Sequence, residues 1–188
     1  MNIEPLILAS QSPRRRQLLE WADVPFKVIV SHTDETFPEH LDPAAAAIYI
    51  AKQKALAVQV KTSYNEIILA ADTIVLLQNE ILGKPRDEDE AISFLEKLSG
   101  NTHQVITGVC LLKGDKELNF SETTKVRFHQ LTRQQIEYYV YTYKPMDKAG
   151  AYAIQEWIGV TGIAGIEGDF YNVMGLPVSR VVQALENF

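Results

Sequence analysis

One aspartate lies inside an otherwise apolar run. Asp72 stands in the sequence Ile-Ile-Leu-Ala-Ala-Asp-Thr-Ile-Val-Leu, and an ionised carboxylate in such a strand is costly unless it is paired, hydrogen-bonded or bound to a cation. The pattern predicts either a buried salt bridge or strand-edge aspartate, or a functional carboxylate. Neighbouring strand residues point to opposite faces, so Asp72 and Thr73 share one pocket only through a bulge or a main-chain contact.

A second segment combines a strand end with a helix start and several cations. In Ser10-Gln11-Ser12-Pro13-Arg14-Arg15-Arg16, Ser12 is a capping residue and Pro13 suits the first helical position. Free amides at a helix N-terminus favour an anion, and arginine offers planar donors that match phosphate oxygens. The segment is typical of a phosphate cradle. The alternative is an ordinary capped helix with solvated arginines.

Several lysines and one glutamine complete the set. Lys84 lies in a Gly-Lys-Pro turn, and Lys52 and Lys54 lie in an alanine-rich helix, where Lys52 is expected to cover the helix face with its stem. The amide of Gln155 can donate to O4 of uracil or thymine and accept from the N3 hydrogen, whereas cytosine requires a flipped amide. A second group must therefore hold the orientation of Gln155. The alternative is a surface glutamine on a strand.

Composition excludes several classes of function. The 188 residues include 18 basic and 24 acidic ones, a formal charge of −6, which argues against a nucleic-acid-binding or membrane-binding protein. The longest apolar run, residues 44–51, is too short to span a membrane, and the N-terminus does not resemble a secretory signal, so we expect a cytoplasmic protein. The single cysteine, Cys110, is expected in the core rather than as a nucleophile.

The remaining motifs do not favour a zinc or dinucleotide site. The chain has no Walker A sequence, no dinucleotide fingerprint and no zinc spacing of ligands. Residues 159–168 are glycine-rich and are predicted to form a loop or bulged strand. The four histidines are expected to be surface or structural residues: His32, His40, His103 and His129.

The predicted elements alternate between helix and strand. Helices are expected at residues 13–21, 43–60, 87–98, 132–143 and 177–185, and strands at residues 6–9, 26–30, 66–77, 104–112 and 118–128. The last two strands are separated by a short turn and should form an antiparallel hairpin. The mixture of βα units and a hairpin predicts a mixed, twisted sheet with helices on both sides.

Read in order, these motifs closely resemble the motif series of the Maf family. The resemblance rests on Leu-Ala-Ser-Gln-Ser-Pro-Arg-Arg from residue 8, Lys54, Ala-Asp-Thr-Ile-Val from residue 71, Gly-Lys-Pro from residue 83 and Asp-Lys-Ala-Gly-Ala-Tyr-Ala-Ile-Gln from residue 147. The Asp-Thr pair and the Ala-Tyr-x-Ile-Gln ending resemble the branch that hydrolyses dTTP and UTP, not the 7-methyl-GTP branch. The resemblance covers nearly the whole chain.

The resemblance implies a fold, an activity and a set of site residues. It implies one domain over residues 1–188, with two lobes around a central cleft and a fold of the Maf and inosine-triphosphatase type. It also implies a homodimer, a divalent cation such as Mg²⁺ or Mn²⁺, and cleavage of a nucleoside triphosphate between the α and β phosphates. Asp72 matches the proton acceptor. The positions linked to base specificity are Arg14, Thr73 and Gln155, and the polar lining matches Ser10, Arg15, Lys54, Lys84 and Lys148.

Two questions stay open at this level. Glu35 resembles a family acidic position associated with metal, but the adjacent Asp34 also fits that position. Asp72 can take a proton from the attacking water or help to hold the metal.

A different class of function is a nucleotide-binding regulator of septum formation and cell division without catalysis. The presence of both an acidic group and several cations favours the enzyme, since binding alone does not need a carboxylate beside a polyanion.

Overall fold

The chain begins with alternating strands and helices. The computed structural model describes residues 4–30 and 32–188. Strand β1 (Leu6–Leu8) is followed by α1 (Pro13–Trp21), β2 (Phe26–Val28), α2 (Pro43–Gln59) and β3 (Ile67–Leu77). β1 pairs in parallel with both β2 and β3, so these strands run in the order β2-β1-β3.

Helices α1 and α2 lie on opposite faces of these three strands. α1 connects β1 to β2 on one side, and α2 then passes β1 to reach β3 on the other side. Two right-handed crossovers in opposite directions place their helices on opposite faces. Accordingly, Ala51 and Ala55 of α2 belong to the same buried cluster as Ile68 and Ala70 of β3.

The first two helices differ at their N-caps. The side chain of Asp42 accepts hydrogen bonds from the backbone N–H groups of Ala44 and Ala45, each at 2.9 Å. Ser12 occupies the N-cap position of α1 as predicted, but its side chain makes no capping hydrogen bond. Instead, the Ser12 N–H donates to Oγ of Ser10 at 3.2 Å. The predicted position of the cap is therefore confirmed.

The rest of the chain adds antiparallel strands and further helices. The elements are β4 (Glu80–Leu82), α3 (Glu88–Leu98), β5 (Thr102–Lys113), β6 (Lys116–Phe128), α4 (Arg133–Tyr143), α5 (Trp157–Gly162), β7 (Ile163–Glu167), α6 (Phe170–Val173) and α7 (Val178–Glu186). The sheet order is β2-β1-β3-β5-β6-β7, and β4 pairs antiparallel with β3. Parallel and antiparallel pairs occur together, which confirms the predicted mixed α/β sheet.

The glycine-rich segment follows its prediction in part, because β7 pairs with β6 through a register shift between Arg127 and Phe128 that is typical of a bulged strand. Residues 159–168 were expected to form a loop or bulged strand, but the segment begins inside helix α5 and only then enters β7. A Cβ atom at residue 159 would lie 1.7 Å from the carbonyl oxygen of Ile154. Gly159 therefore permits a close backbone contact, although glycine ordinarily weakens a helix. Strand β4 was also missed.

The described residues group into two units. The first draws on Met1–Thr73, Thr107–Glu122 and Gly175–Phe188, and the second on Ile74–Ile106 and Thr123–Met174. Within the described ranges 4–30 and 32–188, no helix has the length and apolar character needed to cross a bilayer.

Candidate active site

The candidate site of the first unit lies where β1 ends and β3 continues. Leu8 is paired with Leu69, and the N–H of Ala9 donates to the carbonyl oxygen of Leu69 at 2.8 Å. β3 then runs on beyond this point to Asp72 and Thr73. The strand order reverses here, since the chain leaves β1 towards β2 and β3 lies on its other side. In open α/β sheets, ligands bind at such a switch point beyond the carboxyl ends of the strands.

Asp72 faces helix α2. Ile68 and Ala70 pack against α2, and the period of two along a strand places Asp72 on the same face. Its Oδ1 atom lies 2.6 Å from Nζ of Lys54, and both side chains are mostly buried, with 13% and 15% of their surface exposed. The costly buried carboxylate that the sequence indicated is therefore paired with a cation.

Lys54 also contacts a second carboxylate. Its Nζ lies 2.8 Å from Oε1 of Glu35 in the loop between β2 and α2. One ammonium group thus joins Glu35 and Asp72. Both acidic residues that fitted this position in the sequence, Asp34 and Glu35, are exposed, and Glu35 is the one that contacts Lys54.

A glycine in β5 allows α2 to approach the sheet. Gly108 lies beneath α2, where a Cβ atom would stand 2.3 Å from the carbonyl carbon of Ala47 and 2.3 Å from the nitrogen of Ile48. Backbone atoms cannot yield as a flexible side chain can. Gly108 therefore sets the distance between α2 and the sheet, and with it the position from which Lys54 reaches Asp72.

Thr73 faces the other side of the sheet, towards α1. Its Oγ1 accepts a hydrogen bond from Nη2 of Arg15 at 3.1 Å and lies 3.0 Å from Oγ1 of Thr107. Asp72 and Thr73 thus point to opposite faces, as ordinary strand geometry requires, and each contacts the helix on its own face. The arrangement uses no bulge between them.

Arg15 is buried and is held by three neutral oxygen atoms. Besides Thr73, its Nη1 donates to Oγ of Ser10 at 3.1 Å and its Nε donates to the carbonyl oxygen of Gly175 at 2.8 Å. Burial lowers the pKa of Arg15, and the nearby carboxylate of Asp72 opposes that shift. Neutral partners fix the guanidinium without cancelling its charge, so it retains electrostatic attraction for an anion.

The other arginines of this segment differ in exposure. Arg14 is half-buried, and its charge contributes to the lowered pKa of Arg15, whereas Arg16 is exposed. The structure thus brings seven predicted site residues together in the first unit: Ser10, Arg14, Arg15, Glu35, Lys54, Asp72 and Thr73.

The second unit carries the other three predicted site residues. The N–H of Gly150 donates to the carbonyl oxygen of Gly83 at 3.0 Å, which joins the turn of Lys84 to the segment of Lys148. Lys84 is exposed. Lys148 is buried, with Nζ 2.7 Å from Oδ1 of Asp147 and 3.5 Å from Oε1 of Glu156. Gln155 is exposed and precedes Glu156.

The donor set offers oxygen ligands and little else to a cation. No group of three or more histidine, cysteine, aspartate or glutamate side chains with metal-site geometry occurs among residues 4–30 and 32–188. Glu35 and Asp72 supply carboxylate oxygens, which suit Mg²⁺ or Mn²⁺ when substrate phosphates and water complete the coordination. The residues present fit a metal that is shared with a polyphosphate and do not fit a closed protein site.

The single cysteine and the buried histidine are structural. Cys110 is fully buried in the cluster beneath α2, and burial raises the pKa of its thiol to about 12, which confirms the prediction of a core cysteine. His103 is buried in the second unit, with Nε2 2.7 Å from the hydroxyl oxygen of Tyr152. Burial lowers the pKa of His103 to about 4.

Sequence reasoning missed three residues that hold the predicted ones in place. Thr107 contacts Thr73, and the carbonyl oxygen of Gly175 accepts a hydrogen bond from Arg15. Tyr139 contacts Glu156, which directly follows the predicted Gln155. Thr107 had a detectable signal, since it is a hydroxyl in an apolar strand. Tyr139 and Gly175 had none, because their partners are distant in sequence and their local patterns are ordinary.

Comparisons with known proteins agree with one another. A family model described as "Maf-like protein" matches residues 5–188. A dTTP/UTP pyrophosphatase of Parabacteroides distasonis is 46% identical over 184 residues, covering 97% of this chain and 95% of that protein. Proteins of the same name from Phocaeicola vulgatus and Bacillus cytotoxicus are 48% and 47% identical over 96% and 99% of this chain, and over 94% and 96% of their own length.

Two solved structures resemble the chain more distantly. A Mycobacterium abscessus protein titled nucleoside-triphosphatase / dITP/XTP pyrophosphatase is 14% identical, with a TM-score of 0.42 over 68% of this chain and 76% of that one. The Ham1 protein of Staphylococcus aureus is 17% identical, with a TM-score of 0.44 over 66% of this chain and 72% of that one.

Proposed function

The chain belongs to the Maf-like protein family, and on that premise we propose that it is a pyrophosphatase that hydrolyses dTTP and UTP to the nucleoside monophosphate and pyrophosphate. The observation that carries this proposal is the pairing of Lys54 with both Asp72 and Glu35, together with the buried Arg15 that contacts the neighbouring Thr73. A carboxylate of this kind is of use near a polyphosphate only when cations offset the repulsion between them.

The reaction follows from these charges. Water attacks the α-phosphorus in line, the anhydride bond between the α and β phosphates breaks, and pyrophosphate leaves with the bond's electron pair. Asp72 receives a proton from the attacking water or helps to hold the metal. Arg15 and the N-terminus of α1 attract the phosphate oxygens, because both present hydrogen-bond donors and positive potential at the same end of β1.

Glu35 and Asp72 are the residues that we propose to hold a divalent cation. The cation would offset phosphate charge and lower the pKa of a bound water. Because Lys54 already contacts both carboxylates, this ammonium is well placed to interact with the phosphates when they arrive. Ser10 positions Arg15 through its hydroxyl group.

Base recognition is assigned to Arg14, Thr73 and Gln155, and further polar contacts with substrate to Lys84 and Lys148. A threonine hydroxyl can take part in three hydrogen bonds, and those with Arg15 and Thr107 use two at Thr73. Among the residues that the structure describes, these two bonds leave one hydrogen-bonding position of Thr73 for a ligand. We also propose that the enzyme is a cytoplasmic homodimer and that standard or modified pyrimidine nucleotides are its substrates.

Pyrophosphate release from purified protein tests the proposal. The protein is incubated with dTTP, UTP, CTP, GTP or 7-methyl-GTP in the presence of Mg²⁺ or Mn²⁺, and pyrophosphate and monophosphate are quantified. We expect turnover of dTTP and UTP well above that of the other nucleotides. Tight nucleotide binding without pyrophosphate would support a regulator instead, and preferred hydrolysis of 7-methyl-GTP would assign the chain to the sister branch.

A further inference from the structure

A buried tyrosine contacts both ends of the turn that carries Gln155. Tyr139 lies in α4 and is fully buried. Its hydroxyl oxygen accepts a hydrogen bond from the backbone N–H of Ala153 at 3.1 Å, and its O–H donates to Oε2 of Glu156. A phenol has one donor and can accept as well, so a single hydroxyl group makes both bonds.

Residues 153–156 form a tight turn. The N–H of Glu156 donates to the carbonyl oxygen of Ala153 at 3.1 Å and closes the turn, and Gln155 is its third residue. Ala153 is buried and Gln155 is exposed. Tyr139 therefore links the first and fourth residues of the turn to the core, while the glutamine side chain extends from the turn towards solvent.

The fourth residue of the turn has a second anchor. Oε1 of Glu156 lies 3.5 Å from Nζ of the buried Lys148, and Oε2 accepts from Tyr139. Glu156 also precedes the first turn of α5 as its N-cap residue. The backbone that carries Gln155 is thus held from two sides by buried polar groups.

We propose that Tyr139 is a positioning residue for pyrimidine selection, acting through Gln155. This inference rests on the proposed function and names what determines its preference for uracil and thymine over cytosine. Uracil and thymine present an acceptor at O4 and a donor at N3, whereas cytosine presents the reverse pattern. An amide can answer either pattern by rotating about its last side-chain bond, so a second group must hold it in one orientation, and the backbone that carries Gln155 must keep the amide in place beside that group.

The change Tyr139→Phe tests this role because it removes only the hydroxyl group. The change removes the phenolic acceptor of the Ala153 N–H and the phenolic donor to Glu156. Glu156 keeps its contact with Lys148, but the turn as a whole is less tightly held. We expect the ratio of kcat/KM for dTTP to that for dCTP to fall by about tenfold, chiefly because dCTP is accepted more readily. The matched control is Tyr143→Phe on the same helix, whose ring stacks on Tyr139 with centroids 5.0 Å apart.

A second variant and a binding measurement keep the inference testable if Tyr139→Phe folds poorly. Glu156→Ala removes one of the two ends held by Tyr139 and should lower the same ratio. Binding of dTMP and dCMP, measured by titration calorimetry, gives a readout that does not depend on turnover, and we expect the preference for dTMP to weaken in both variants. Tyr143→Phe should retain the parental preference.

The outcomes separate this inference from the proposed function. If the unmodified protein releases no pyrophosphate from dTTP, the proposed function is wrong. If that protein discriminates but Tyr139→Phe and Glu156→Ala keep its dTTP to dCTP ratio, or lose activity towards both nucleotides equally, Tyr139 is merely structural and the inference is overturned.

Discussion

The Nζ atom of Lys54 lies 2.6 Å from Oδ1 of Asp72, although 18 residues separate them in sequence. The same Nζ lies 2.8 Å from Oε1 of Glu35. Lys54 therefore lies between the two carboxylates that we propose to hold a divalent cation. Close opposite charges in a partly buried site interact strongly, so each member of this group affects what the others bind.

Replacing Asp72 with asparagine should abolish turnover. The amide side chain would keep an oxygen that Lys54 can contact but would lose the negative charge, so it could neither accept a proton nor bind a cation strongly. We expect kcat for dTTP to fall by about 10³-fold or more, as measured by pyrophosphate release. Asp115→Asn, on the exposed hairpin turn, is the matched control. Near-parental hydrolysis by Asp72→Asn would remove Asp72 from the mechanism.

Replacing Lys54 with methionine should strengthen the binding of free metal. The change keeps an apolar stem and removes the ammonium group that contacts Glu35 and Asp72. Without it the two carboxylates attract a cation more strongly, so the Kd for Mn²⁺ in the absence of nucleotide should fall by about tenfold. Electron paramagnetic resonance of free Mn²⁺ measures this directly.

The control for this prediction lies on the same helix. Lys52 forms an ion pair with Glu117 at 2.9 Å, away from Asp72, and Lys52→Met should leave the Mn²⁺ affinity unchanged. An unaltered Mn²⁺ affinity in Lys54→Met would mean that Glu35 and Asp72 do not form a cation site.

Replacing Arg15 with lysine should destabilise the protein. The guanidinium donates to Ser10, Thr73 and Gly175, and a single ammonium cannot reach all three oxygens with good geometry. Leaving buried acceptors unpaired should lower the free energy of unfolding by about 2–4 kcal/mol, as measured by urea denaturation. Arg16→Lys, at an exposed position of the same helix, should change it by no more than about 0.5 kcal/mol. Equal effects of the two changes would contradict the role of Arg15 as a structural link.

The buried His103 should make stability depend on pH. Burial lowers its pKa from 6.5 to about 4 in the folded protein, so between these values the unfolded chain binds more protons. The neutral state of His103 thereby contributes about 3 kcal/mol to the free energy of unfolding. This contribution is complete above pH 6.5 and is lost as the pH falls towards 4. Chemical denaturation at pH 4.5 and pH 7 should show a smaller pH effect in His103→Gln than in the unmodified protein.

An exposed histidine provides the comparison. His129→Gln should preserve the parental difference in unfolding free energy between the two pH values, because His129 is exposed in the folded state. A His103→Gln protein with an undiminished pH difference would assign the effect to the carboxylates instead.

Much of the secondary structure could be predicted from local sequence. Asp42 followed by Pro43 begins α2 as expected, and Thr132 begins α4 with a complete capping box. These signals are strong because capping groups and the residues they bind lie two or three positions apart. Helix α5 was missed because Gly159 weakens the local helical signal, while its benefit, contact with the carbonyl of Ile154, exists only in the folded chain.

The residues of the candidate site were predicted from their types, but the contacts between them were not predicted. Asp72 was singled out because a carboxylate in an apolar strand needs a partner, yet its partner could not be chosen from the sequence alone. The choice between Asp34 and Glu35 was open for the same reason, since adjacent loop residues have equivalent local patterns. The structure places Glu35 at Lys54.

Local sequence patterns were sufficient for most of the helices and strands, for the family resemblance and for the types of residue available for phosphate chemistry. Only the tertiary structure decided that Arg15 reaches Gly175, 160 positions away, and that Tyr139 holds the turn of Gln155. The physical reason is the distance along the chain over which each interaction acts. Capping, turn formation and hydrophobic periodicity act between near neighbours in sequence. Hydrogen bonds between buried side chains instead depend on which surfaces the packed helices and strands bring together.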